Sequence, residues 1–63
     1  MTHTVASIRA DLAPMLRGKG YIDYGKCEVT FNNAGIFSII VNKRVRFESD
    51  SLKRVSHMVA QLL

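Results

Sequence analysis

A chain of 63 residues with a formal charge of +4 has room for one modest hydrophobic core and a bias toward anionic partners. Its single cysteine excludes an intrachain disulfide, and Cys27, His3 and His57 lack the paired spacing of a zinc site. A 48% apolar share argues for a folded domain, yet no apolar run approaches the roughly 20 residues that a membrane helix needs. The expectation is therefore one small domain over residues 1–63, with no membrane segment, metal or cofactor. Self-association or a partner is then the remaining source of extra stability. Met1 to Ala10 has no signal-peptide character, and with a lone cysteine this points to a reducing cytoplasm of bacterial or phage type.

The first periodic segment carries Val5, Ile8, Leu12, Met15 and Leu16 at helical spacing, with Thr4 or Thr2 as N-cap. Pro14 cannot donate to the carbonyl of Ala10, so the helix is expected to break there, with Asp11 capping a short second turn. Arg17-Gly18-Lys19-Gly20 ends it, a basic residue followed by glycines able to take positive φ. From Tyr21 to Glu48 the period changes to two. Tyr21–Tyr24 opens the extended region and Gly25 marks a bulge or tight turn. Cys27, Val29 and Phe31 alternate with Glu28 and Thr30; Asn32-Asn33-Ala34-Gly35 reads as a four-residue turn. Ile36–Val41 is strongly β-prone, Asn42-Lys43 suits a two-residue hairpin, and Arg44–Glu48 forms the last strand. Ser49 or Asp50 then caps a final helix striped with Leu52, Val55, Val59 and Leu62. The predicted class is α+β: an N-terminal helix, a three-stranded antiparallel meander and a C-terminal helix. That α-β-β-β-α order resembles double-stranded RNA-binding domains. Lys53-Arg54 stands where their second helix starts, but their alanine-rich run is missing and no membership follows.

The turn lengths fix a register, and with it a face. A four-residue turn sets Phe31 opposite Ile36, and the two-residue turn sets Ile40 opposite Val45. One face then gathers Cys27, Val29, Phe31, Ile36, Ser38, Ile40, Val45 and Phe47 for the helices. The other receives Glu28, Thr30, Phe37, Ile39, Val41, Arg44, Arg46 and Glu48, which leaves Phe37, Ile39 and Val41 exposed within a charged margin. An exposed apolar patch with a polar rim reads as a protein interface. The alternatives are one helix packed on each face, or a three-residue loop that shifts the register and makes Phe37, Ile39 and Val41 core.

The densest cationic cluster is Lys43, Arg44 and Arg46, with Lys53 and Arg54 close behind. Such residues on a strand edge and a helix start suit successive phosphates, with Phe37 as a stacking face, although a solvated strand edge uses the same residues. The five carboxylates are scattered, His57 has no carboxylate or nucleophile at helical spacing, and Cys27 alternates with core positions. No enzymatic chemistry is expected. The leading expectation is a small, basic, nucleic-acid-associated regulatory protein, dimeric or partner-stabilised, contacting DNA or RNA backbone through Lys43, Arg44, Arg46, Lys53 and Arg54. The rival is a protein-binding inhibitor or adaptor, of a phage or mobile-element kind. It would offer Phe37, Ile39 and Val41 within an arginine rim to an acidic protein surface.

Overall fold

The computed structural model describes residues 3–18 and 20–63. Helix α1 (Val5–Leu12) begins at Thr4, whose side chain accepts from the Ser7 backbone N–H while the Ser7 hydroxyl oxygen accepts from the Thr4 N–H. This reciprocal cap satisfies two donors that would otherwise be orphaned. Pro14 ends the regular helix as expected, and a 3-10 segment (Ala13–Arg17) carries the chain on. Asp11 does not cap that segment; it stays in α1 and accepts a hydrogen bond from the Tyr24 hydroxyl at 3.1 Å. Gly18 is extended rather than left-handed (φ 170°), and Thr2 and Lys19 lie outside the described residues.

The sheet has four antiparallel strands in order β1 (Gly20–Asp23), β2 (Glu28–Phe31), β3 (Phe37–Val41) and β4 (Arg44–Ser49). The three-stranded expectation is corrected at Gly25. Its φ of +89°, a backbone bond from Tyr24 N–H to the Cys27 carbonyl at 2.9 Å, and the Asp23 carboxylate accepting from Gly25 N–H at 2.7 Å close a tight turn. The Tyr21 segment thereby folds back on β2 as a separate strand, pairing Tyr21 with Thr30 and Ile22 with Val29. Helix α2 (Leu52–Leu62) is capped by Ser51, which accepts from Arg54 N–H, and Ser49 accepts from Ser51 N–H. Neither Ser49 nor Asp50 is the cap.

Two shifts of phase decide what is core. The β2–β3 turn contains Ile36, so Phe31 pairs with Phe37 and not with Ile36. The Asn32 side chain holds this longer turn by accepting from the Ala34 and Ile36 N–H groups. Every residue of β3 is therefore flipped relative to the expected face. The second shift is a bulge in β4: Ile40 pairs with Val45 but Ile39 with Phe47, which leaves Arg46 as the extra residue. Phe47 returns to the core side while Val45 points away, 56% exposed.

Phe37 and Ile39 are fully buried, and Val41 is half-buried against the same cluster. The expected exposed patch of Phe37, Ile39 and Val41 is thus corrected: these residues are core, because the Asn32–Ile36 turn is one residue longer than the sequence pattern implied. Both helices pack on this one face, with Ile8, Leu12 and Met15 from the N-terminal segment and Val55 and Val59 from α2 meeting Cys27, Val29, Phe37 and Ile39. Gly20 allows the close approach of this layer, since a Cβ there would collide with the Met15 side chain.

Candidate nucleic-acid interface

Strand β4 is an edge of the sheet, and α2 packs back along it and β3. This edge carries the clustered cations. The β3–β4 hairpin turns through Asn42 (φ 54°) and Lys43 (φ 65°), the type I′ geometry whose twist matches the strands. Beside it, Arg44 and Arg46 border a shallow hollow of about 370 Å³ with Val41, Asn42 and Val45. The bulge matters here: the extra residue is an exposed arginine on an edge strand.

The second half of the site is a groove of about 450 Å³ between the end of β4 and α2. Half-buried Phe47 and Met58 form its deeper apolar part, while exposed Lys53, Arg54 and His57 stand at its rim. Ser51 lies at the start of the helix and Gln61 in its last turn. Helical spacing explains the assembly: Lys53, His57 and Gln61 recur at i, i+4 and i+8, and Arg54, Met58 and Gln61 at i, i+4 and i+7. This stripe adjoins the buried row of Val55 and Val59. No carboxylate lines the groove. The first turn of α2 contains no acidic residue and instead carries Lys53 and Arg54, against the preference of the helix dipole for anions there. That arrangement costs the helix some stability and leaves a cationic pocket edge able to receive an external anion.

Three of the five carboxylates collect elsewhere, while Asp11 lies in α1 and Asp50 directly precedes the Ser51 cap at the groove's end. Asp23 pairs directly across from Glu28, and Glu48 lies opposite Ser38. All three belong to the sheet face away from the helices. Tyr21 stands among them, its phenol raised by desolvation and by Glu28 and Asp23. Burial, with a smaller effect from Asp23 and Glu28, likewise pushes the Cys27 thiol up, which suits a core residue rather than a nucleophile.

The five expected backbone contacts, Lys43, Arg44, Arg46, Lys53 and Arg54, are all exposed. They fall into a hairpin group and a helix group joined along β4. Phe37 cannot offer a stacking face, being fully buried. Phe47, Met58, His57 and Gln61 complete the groove and were not singled out as site residues from the sequence. The available signal was Phe47 following two arginines, with the i, i+4 row of α2 beside it. The chain matches no protein-family model, no curated protein and no solved structure.

Proposed function

We propose that this chain is a nucleic-acid-binding protein that grips phosphate backbone with Lys53 and Arg54 at the helix groove and with Lys43, Arg44 and Arg46 on the adjoining hairpin. The single observation that carries the reading is the segregation of charge. Lys53 and Arg54 rim a groove whose lining contains no carboxylate, although Asp50 directly precedes it, while Asp23, Glu28 and Glu48 occupy the other face of the sheet. A polyanion is attracted to one side and repelled from the other, so the modest net charge acts as a directed one. Phe47 and Met58 give the groove an apolar depth into which the face of an unpaired base fits, with His57 and Gln61 as hydrogen-bonding neighbours. Lysine and arginine contacts of this kind position a backbone without reading sequence, so binding is expected to be weakly sequence-specific.

Fluorescence anisotropy with labelled single strands and duplexes of DNA and RNA, between about 50 and about 200 mM salt, tests the reading. The expected result is salt-dependent binding, with the slope of log K against log salt falling by about one to two when Lys53→Ala and Arg54→Ala are combined. Binding with an unchanged slope in that variant, or no binding to any of the four nucleic acids, overturns it.

A further inference from the structure

The helix groove and the hairpin hollow lie along the same strand. Val41 pairs with Arg44 and Ile39 with Phe47, and alternation along β3 puts Val41 and Ile39 on one face, the face that the helices cover. Arg44 and Phe47 therefore share that face of β4 although their spacing is odd, because the bulge between them restores the phase. Helix α2 packs back against β4 after the Ser51 cap, and the groove residues run from Ser51 to Gln61 in the last turn. At about 1.5 Å of rise per residue that run is about 15 Å long, so the groove is a channel beside the strand and not a pit. Strand β4 itself, six residues of extended chain, covers about 20 Å from the hairpin to Ser49.

The chemistry changes along this line. Lys53 and Arg54 stand at the helix start, half-buried Phe47 and Met58 form the apolar depth, and Arg44 and Arg46 border the hollow at the hairpin end. Cations at both ends with an apolar stretch between them suit a single strand, whose phosphates repeat along the backbone and whose base faces are open to stacking. A duplex does not match this arrangement. Its bases are paired and stacked, so none reaches Phe47 and Met58, below the exposed rim, unless it is first flipped out of the helix. A duplex laid on the rim meets the cations alone.

We infer, resting on the reading that this groove receives nucleic acid, that the substrate is a single strand lying along β4 and held at two places at once. Lys53 and Arg54 hold the backbone at the helix start, Arg44 and Arg46 hold it at the hairpin, and an unpaired base between them lies against Phe47 and Met58. A strand stacked as in a duplex advances about 3.4 Å per nucleotide, so the length of β4 corresponds to about six nucleotides, and to fewer in a stretched strand. A shorter oligonucleotide reaches one cationic group only. Once the strand spans both, the second contact forms within the same complex and multiplies the first through its effective concentration. Affinity then depends on length as a step. A duplex of equal length lacks the stacking contact and binds more weakly.

Fluorescence anisotropy at one low salt concentration tests it with labelled oligothymidylates of about two to about twelve nucleotides, a span chosen around the site sizes of single-strand binders. Affinity is expected to rise about a hundredfold within a narrow range of lengths, the low end of what linking two sites gains, and to be nearly flat beyond it. Combining Arg44→Ala with Arg46→Ala is expected to remove the step and to bring the long oligonucleotides down to the affinity of the short ones. Phe47→Leu keeps the groove filled but takes away the ring; it is expected to weaken single strands about tenfold and a duplex of the same length by less. Circular dichroism of each variant separates loss of binding from loss of the fold. Affinity that climbs evenly with length, a step that survives in the hairpin variant, or a duplex bound as tightly as the single strand overturns the inference. Each of these leaves phosphate binding at Lys53 and Arg54 in place, since the salt slope judges that separately. Failure to bind at every length and as duplex overturns the groove reading itself, and the inference with it.

Discussion

Phe37 occupies the middle of the core, fully buried and tilted against Phe31 with ring centroids 4.6 Å apart. Truncating a side chain so enclosed removes its transfer energy and leaves a cavity that strands on either side hold open. Phe37→Ala is expected to cost about 3–5 kcal/mol, which is close to the whole stability of so small a domain. Phe47→Ala, at a half-buried position open to the groove, is expected to remain folded. Urea melts of the two variants distinguish this from the reverse order, which would place Phe37 on the surface. Tyr24 supplies a second test. Burial first, and then the hydrogen bond to Asp11, raise its phenol well above the ordinary tyrosine value. A group raised in the folded state contributes stability that is complete below its unfolded pKa, about 10, and is lost as pH climbs above that, because only the unfolded chain then ionises readily. Tyr21 and Cys27 are shifted in the same direction and add to the alkaline decline. Tyr24→Phe is expected to lower stability near neutral pH by at most about 1 kcal/mol, since the bond it removes is exposed, and to make the decline above about pH 10 shallower. An unchanged alkaline slope in melts taken across that range would contradict the assignment.

At the scale of elements, the helices and the tight hairpin were legible in the sequence, because each is fixed by local spacing. The stripes Ile8–Leu12–Met15 and Val55–Val59 face the core as their periodicity required, and Asn42-Lys43 makes the two-residue turn. The sheet face was not legible, because a period of two converts any miscounted residue into the opposite face. Ile36 looks like a strand residue by composition, yet it closes the turn that Asn32 holds, and nothing local announces the bulge at Arg46. The two slips act in series: the first turns β3 over, and the second lets Phe47 rejoin the core although Val45 has left it. Removing Arg46 would give β4 a regular alternation with Phe47 still inward and Val45 outward. Its deletion is therefore expected to leave the melting temperature close to wild type, whereas deletion of Thr30 from β2, which has no spare residue, is expected to unfold the chain. A collapse of the fold on deleting Arg46 would show that the bulge is structural and not a device for presenting a cation. The hairpin carries a further consequence. Lys43 pays for a positive φ that glycine adopts freely, so Lys43→Gly is expected to raise stability by up to about 1 kcal/mol in a thermal melt.

Over the whole molecule, charge and layering give the same division. Helices cover one face, the carboxylates Asp23, Glu28 and Glu48 lie on the other, and five of the nine Lys and Arg residues run along the β4 edge into the α2 groove. The basic cluster could be read from the sequence because Lys43, Arg44, Arg46, Lys53 and Arg54 are close in the chain. Its apolar partner in the groove could not, because Phe47 and Met58 meet only when α2 returns along β4. The segregation of charge was equally hidden, since Asp23 and Glu28 become neighbours only through the β1–β2 turn. On the proposed reading the β4–α2 groove, not the sheet face, receives nucleic acid. The most direct measurement is a titration of isotopically labelled protein with an oligonucleotide, followed by backbone amide NMR shifts. The largest changes are expected on Phe47, Lys53, Arg54, His57 and Gln61, with smaller ones at Arg44 and Arg46. Changes centred on Tyr21, Thr30 and Ser38, with the groove unmoved, would contradict it.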